Sequence, residues 1–361
     1  MNRIIIFVVG CLLMYNMAFA QPSIYPGDLN WQLKWEDNFS FLNTDIWEVR
    51  NNHDSWGFPC VNLDSNASID NNTLVLRTKK QDYCCPQNTY FCQWQNKNEE
   101  CYQYTGALVT NKPAYNTKYG YMEAKIKMTY RKGVGYAFWT FKGDGLPQPA
   151  SNPAEIDIFE TLVPRLQQAP NALSTCIHTC YEKTNPDCKK PRAQHYYLSN
   201  FSYEDWHTYS VEWDVDKITW YVDGKPIRTS ANRNLDNFGN SIVDPVKIIL
   251  SAHANPDYLP PNPPPFEEYM YVDYVKVYQL KCSNTVVINE IPNFDRYCYT
   301  VKKSISLSGA TTIPQGSNIS LRATDFIELK SGFEVPLGAE LYLDINPCSG
   351  PIVVCPGGNL P

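Results

Sequence analysis

Short segments of alternating apolar and polar residues run along most of the chain. Gly120–Met128 alternates almost throughout, and Ala67-Ser68-Ile69-Asp70 leads into Thr73–Thr78. Thr208–Trp213 and Lys217–Val222 keep the same rhythm on either side of Asp214–Asp216, and Asp223-Gly224 then makes a tight turn. A period of two sends successive side chains to opposite faces of a strand, and Asx/Gly punctuation about every 8–12 residues separates consecutive strands. No helix-period stretch of useful length interrupts this text. The pattern from Trp31 to about Tyr278 predicts antiparallel sheets packed as an all-β sandwich. The Pro-rich stretch Asn255–Pro265 cannot belong to a central strand and reads as a stiff loop. After Tyr278 the strands become Ser/Thr/Gly-punctuated, as in Ile305-Ser306-Leu307 and Glu340-Leu341-Tyr342-Leu343. A boundary is placed near 280–283, dividing the chain into a main unit over 21–281 and a small β-domain over 282–361.

Composition agrees with sheets and removes some partners. Aromatics reach 14% with 25 Tyr, and there are 27 Pro against 6 Met, a profile poor for long helices and good for twisted sheets. The formal charge of −6 comes without any block of like charges. A nucleic-acid or anionic-membrane partner held by a basic surface is therefore not expected.

The N-terminus supplies a compartment. Arg3 precedes an apolar run from Ile4 to Met14, and Ala18-Phe19-Ala20 has the form of a signal-peptidase site, so residues 1–20 read as a signal peptide. A lipoprotein signal ending at Val8-Val9-Gly10-Cys11 is the competing reading, but it leaves an apolar core of about six residues, below the usual ~7–15. No other stretch approaches the ~18–20 apolar residues that span a bilayer. The mature protein is expected to be exported, secreted or held at the cell surface, with no membrane span, and monomeric.

Export gives the cysteines a meaning. Removing Cys11 leaves twelve of the 13. Eight lie between Cys60 and Cys188, and the other four are Cys282, Cys298, Cys348 and Cys355. A zinc site can be drawn from Cys84, Cys85, Cys92 and Cys101, but paired CxxC knuckles are missing. In an oxidising compartment disulfides are favoured, with each unit closing its own bridges.

Glu155-Ile156-Asp157-Ile158-Phe159-Glu160 places three carboxylates within six residues of a β-prone apolar run. Glu155 and Asp157 share one face at period two, while Ile156 and Ile158 pack on the other. Regular pleating would turn Glu160 into the core; a β-bulge adds one residue and returns it to the carboxylate face. Like charges a few ångströms apart cannot all ionise, so one acid stays protonated near neutral pH. A carboxylate nucleophile beside a protonated carboxylic acid is the equipment of retaining glycoside hydrolysis, which needs about 5–5.5 Å between the groups. Five residue steps span about 16 Å and the bulge trims this to about 13 Å, leaving two inward-leaning Glu side chains to close the rest. A metal cluster is the alternative use of three acids, but one strand offers few converging ligands.

The neighbouring aromatics fit a sugar. Trp56, Tyr136, Trp139, Trp206 and Trp213 exceed what a sandwich core needs, and aromatic faces stack on the CH-rich faces of pyranose rings. For each single Trp, core packing is the competing account. His178 follows the strand-like Leu173–Ile177 and can face the same surface.

These residues carry a family resemblance. Ala154–Glu160 resembles the active-site signature of glycoside hydrolase family 16 in its bulged E-x-D-x-x-E form, the form of laminarinase-like endo-β-glucanases. Trp31–Trp47, Tyr119–Met128, Ala137-Phe138-Trp139, Trp206–Val222 and Tyr271–Gln279 are similar to the surrounding family text, in order, over most of residues 29–280. The resemblance implies a β-jelly-roll with a substrate cleft on its concave face. It assigns Glu155 as nucleophile, Glu160 as general acid/base and Asp157 as the assisting acid. Trp139, His178 and Trp213 match positions lining sugar subsites, and Trp56 and Tyr136 are further candidates. No cofactor is implied for catalysis. Asp273 matches a residue that in several members helps hold a structural calcium on the outer face.

Departures from the family bear on substrate. Gly133-Val134-Gly135-Tyr136-Ala137-Phe138-Trp139 stands where many β-1,3-glucanases read G-x-W-P-A-F-W, and Asp82–Cys101 and Cys176–Lys190 resemble insertions beside the cleft. The expected substrate is a β-linked polysaccharide, β-1,3-glucan (laminarin) or β-1,3-1,4-glucan. A marine galactan (agar, porphyran or carrageenan) is the alternative; Arg131-Lys132 and Lys189-Lys190-Pro191-Arg192 are the basic clusters that would serve it. A non-catalytic glycan-binding protein on the same scaffold is a further alternative. Ser331–Ala339 in the C-terminal unit resembles accessory segments on secreted enzymes of Bacteroidetes-type bacteria.

Overall fold

The alternating text of Gly120–Met128 becomes a strand with those bounds, with Met122, Ala124, Ile126 and Met128 turned into the main hydrophobic core. Ala67–Asp70 and Lys217–Val222 are likewise strands as read, and Asp223-Gly224 forms the turn between Lys217–Val222 and Lys225–Ala231 with φ of 50° and 70°. Positive φ at both central residues is the type I′ signature, which matches strand twist and favours Asp-Gly. The computed structural model describes residues 31–55, 58–85, 101–142, 155–161, 169, 171–178, 193–213, 217–231, 242, 245–280, 285–288, 301–307, 315 and 318–345. The signal-peptide reading at 1–20, the Trp56 assignment and the Lys189–Arg192 cluster lie outside these residues. Among the described residues, no helix is long and apolar enough to cross a membrane.

Two antiparallel layers make up the main unit. In one, Lys225–Ala231, Lys217–Val222, His207–Trp213, Gly120–Met128 and Glu267–Leu280 follow one another, and the last also pairs with Thr73–Cys84 and Trp31–Asp37. In the other the order is Gln194–Tyr197, Ala172–His178, Glu155–Glu160, Val134–Lys142, Val246–Ala254, Cys101–Asn111 and Trp47–Val49. Cys101–Asn111 links the layers: its first half pairs with Thr73–Cys84 and its second half with Val246–Ala254. The core lies between the layers and is built from Trp47, Phe138, Phe159, Tyr209, Trp213 and Trp220 together with their aliphatic neighbours. This is the antiparallel sandwich expected from the alternation and the jelly-roll that the family resemblance implies.

The stiff loop after Val246–Ala254 is pinned by Asn255, whose side chain accepts a hydrogen bond from the Asp257 amide at 3.0 Å. Leu259 from that loop packs so closely on Gly133 that a Cβ there would lie 2.5 Å from its Cγ; with φ of +87° the position requires glycine.

Beyond residue 281, Thr285–Ile288, Val301–Leu307, Asn318–Leu329 and Glu340–Ile345 form a separate four-stranded sheet, each strand parallel to the next in sequence order. Ile305, Leu307, Leu321 and Ala323 form its buried cluster. Alternation alone predicts these strands but carries no information on direction, and the parallel order is a finding of the structure.

One disulfide, Cys84–Cys101, joins directly paired residues on adjacent strands, and Cys85 is also disulfide-bonded. Cys176 departs from the expectation that all eight cysteines of the main unit close bridges. It is a buried free thiol on Ala172–His178.

Candidate active site

Glu155–Glu160 lies between Val134–Lys142 and Ala172–His178, and both ladders break at the same place. Asp157 pairs with Trp139 and Phe159 with Phe138, so two steps on the acidic strand oppose one on its neighbour. Ile158 is the extra residue. Ile156, Ile158 and Phe159 all enter the core, and Phe159 packs on Tyr209 at 4.3 Å between ring centroids. The bulge therefore keeps Glu160 on the face of Glu155 and Asp157. The apolar side drives it, because an even count would bury a carboxylate or expose an aromatic.

Across the ladder, Glu155 faces His178, Asp157 faces Cys176 and Glu160 faces Ser174. His178 Nε2 lies 3.1 Å from Asp157 Oδ2 and 3.5 Å from Glu155 Oε1. Asp157 is 1% exposed, whereas the Glu155 and His178 side chains retain 14% and 22%, so an incoming molecule meets Glu155 and His178 first.

Electrostatics divide the roles. Burial pushes the Glu160 carboxyl well above its ordinary range, and the neighbouring Asp157 adds to this. Burial also raises Glu155, but the adjacent His178 works against it. Burial disfavours the His178 cation, yet Glu155 and Asp157 together hold its pKa well above that of free imidazole. The His178 cation favours the ionised form of Glu155, whose carboxyl is nonetheless pushed up to about 8, while Glu160 holds its proton.

The backbone of the acidic strand is held from the core side. Trp220 Nε1 donates to the Asp157 carbonyl at 2.9 Å, and Thr140 Oγ1 lies within 3.3 Å of both the amide and the carbonyl of Ile156. Arg228, stacked 4.3 Å over the Trp220 ring, donates to Thr175 O and Oγ1 at 2.9 Å each. Sequence reading did not find Trp220, Arg228 or Cys176. The first two come from the opposite layer and leave no local signal. Cys176 had one, because Cys176-x-His178 shares the parity of a residue already singled out.

The aromatic candidates separate by face. Trp139 packs on the outward face beside Asp157, in a cluster with Leu108, Ala137, Phe141 and Ile249, and its Nε1 donates to Ser251 Oγ at 3.2 Å. Tyr136 and Trp213 are corrections. Tyr136 is 2% exposed in the inter-layer core with its hydroxyl 3.0 Å from Thr129 Oγ1, since three steps from Trp139 reverse the face. Trp213 is 1% exposed in the same core and donates to Ile242 O at 3.2 Å. Neither ring can stack on a sugar. Trp206 lies on the other layer, near Lys125 and Lys127. On the outward face the edge strand Gln194–Tyr197 instead presents Tyr197, paired with Ala172 and 58% exposed.

Asp273 sits where the register shifts between Glu267–Leu280 and Gly120–Met128, and its Oδ2 accepts from Lys125 Nζ at 2.8 Å. Among the described residues no trio of metal-ligating side chains gathers around it. Arg131, half of one basic pair, is ion-paired with Glu268 at 2.6 Å.

The family profile of Glycosyl hydrolases family 16 matches residues 55–259, which include the whole acidic strand and its neighbours. The chain belongs to this family. Among curated relatives of this family 16 chain, the Glucan endo-1,3-beta-glucosidase A1 of Niallia circulans is 26% identical over 276 residues, 70% of the chain and 39% of that protein. The chain thus spans well under half the length of this relative. The Kappa-carrageenase of Pseudoalteromonas carrageenovora is also 26% identical, over 333 residues that make up 85% of the chain and 79% of the carrageenase. Among solved structures, the endo-beta-1,3-glucanase of Pyrococcus furiosus superposes with a TM-score of 0.58 at 26% identity, covering 70% of the chain and 95% of that structure.

Proposed function

We propose that this protein is an exported, retaining endo-glycoside hydrolase that cleaves β-1,3-glucan of the laminarin type, with mixed-linkage β-1,3-1,4-glucan as the nearest alternative. The observation that carries this reading is the bulge at Ile158, which sets Glu155, Asp157 and Glu160 on one face with His178 against the first two. Glu155 attacks the anomeric carbon while Glu160 gives its proton to the leaving oxygen; Glu160 then takes a proton from the water that releases the glycosyl-enzyme. Asp157 and His178 hold Glu155 in place and balance its charge. The presence of all three acids argues against a non-catalytic glycan binder.

The relatives pull the substrate in different directions. The glucanases of Niallia circulans and Pyrococcus furiosus support a glucan, while the carrageenase aligns over more of this chain. A sulfated galactan calls for cationic groups along the cleft, and Arg131 is already committed to Glu268. The glucan reading is preferred on that ground and on the two glucanase relatives, Lys189–Arg192 lying outside the described residues. A reducing-end assay over laminarin, lichenan, agarose, porphyran and carrageenan tests it. New reducing ends from laminarin are expected, and activity confined to carrageenan would overturn the glucan assignment.

Export and a structural calcium at Asp273 complete the proposal. Calcium takes about 6–8 oxygen ligands, so it would have to draw Asp273 away from Lys125.

A further inference from the structure

We propose that Asp157, Cys176 and His178, with Glu155 as fourth donor, form a binding site for a thiophilic divalent cation such as Zn²⁺, and that its occupation stops hydrolysis. The site arises from two adjacent strands. Cys176 and His178 are two residues apart on one, Glu155 and Asp157 two residues apart on the other, and the pairs face each other rung by rung. One ligand atom each from Asp157, Cys176 and His178 lies within 4.8 Å of the others, among the described residues the one such trio. Glu155 Oε1, 3.5 Å from the same imidazole nitrogen, adds a fourth.

The donor set is one sulfur, one nitrogen and carboxylate oxygen. Zinc bonds of about 2.0–2.3 Å in a tetrahedron place ligand atoms about 3.3–3.8 Å apart, so the observed cluster has to contract by only about 1 Å. Calcium and magnesium want oxygen alone, and sulfur with imidazole selects against them. Asp157 and Cys176 are almost fully buried while Glu155 and His178 keep some exposure, so the cluster opens on the outward face of the sheet. A bound cation would displace the Cys176 thiol proton and hold Glu155, Asp157 and His178 as ligands, which takes the carboxylate of Glu155 out of the reaction. The binding claim stands on this geometry alone; the inhibition claim also rests on the glycosidase reading.

Co²⁺ serves as the optical probe on the full chain. A thiolate-to-cobalt charge-transfer band is expected, saturating at about one equivalent, bleached by Zn²⁺ and lost in Cys176→Ser. Absence of the band in the wild type, or its persistence in Cys176→Ser, overturns the site. The wild-type spectrum decides even where Cys176→Ser fails to fold. Independently, Zn²⁺ should inhibit hydrolysis reversibly, with a chelator restoring activity. Relative to its own metal-free rate, Cys176→Ser should require at least about tenfold more Zn²⁺. Binding without inhibition would leave the site and remove its link to the catalytic acids; equal zinc sensitivity in both enzymes would overturn the proposal.

Discussion

His178 Nε2 stands 3.1 Å from Asp157 Oδ2 and thereby carries a cation to the edge of Glu155, the one acid of the trio that must act ionised. Removing that cation leaves Glu155 with burial and Asp157, both of which raise its pKa. His178→Gln is therefore expected to move the acid limb of the kcat/KM profile to higher pH by about one unit or more, the scale of one opposite charge at this range. A purely structural role for His178 would lower activity evenly and leave the limb where it was.

Glu155→Gln should abolish turnover while laminarin still binds, as read by affinity electrophoresis. Glu160→Gln should slow cleavage by about 10²–10⁴-fold, the usual contribution of a positioned acid. The first product of the wild type should keep its anomeric configuration by NMR. An inverted product would mean that the two carboxyls are too far apart for attack by Glu155.

Burial raises both glutamates, and this sets the direction of a stability effect. A carboxyl whose folded pKa lies above its unfolded value of about 4.3 contributes stability that is full below that pH and is lost as pH rises through the folded pKa. His178, also raised, adds a loss with the same sign. The wild-type melting temperature should therefore fall between about pH 5 and pH 9. Glu160→Gln, which has no charge to bury, should fall less and be the more stable protein at the alkaline end. Each pH unit between folded and unfolded pKa is worth about 1.4 kcal/mol. Parallel melting curves for the two proteins would refute the assignment of a retained proton to Glu160.

The acidic strand shows how far the sequence reaches. Three carboxylates among Ile156, Ile158 and Phe159 can share a face only through an added residue, and the bulge at Ile158 follows from counting. The same count applied to Tyr136 would have put it with Phe138 in the core, because parity decides faces wherever pleating is regular. Trp213 carried the same cue, since it shares the parity of Tyr209 and Val211 and all three lie in the core, on a strand of the layer opposite the acids. Trp220 and Arg228 support the site from that same distant layer, so no motif could reveal them. Strand direction beyond residue 281 was equally hidden, since alternation is the same read parallel or antiparallel.

Trp220→Phe keeps the ring in the core and removes only the Nε1 donor to the Asp157 carbonyl. A buried acceptor left without its partner costs about 1–3 kcal/mol, and the loss falls on the residue next to the bulge. The expected outcome is a lower melting temperature with kcat reduced and KM almost unchanged, because the substrate surface is untouched. A change confined to KM would show that Trp220 does not act through the acidic strand.

Tyr136 and Tyr197 test the division of faces directly. Tyr136 fills the core, so Tyr136→Ala should destabilise by about 3–5 kcal/mol, as large aromatic deletions do. Tyr197 stands exposed on the outward edge strand beside Ala172, where its ring can lie against a pyranose. Tyr197→Ala should leave the melting temperature nearly unchanged and raise KM for laminarin about tenfold, the equivalent of roughly 1.4 kcal/mol, within the range of an aromatic stacking contact. Phenylalanine at position 197 should restore most of the loss, since stacking needs the ring rather than the hydroxyl. If Tyr136→Leu, which removes the ring, raised KM while Tyr197→Ala did not, the sugar would have to be placed on the other side of the strand Val134–Lys142, and the outward face would lose its claim to the substrate.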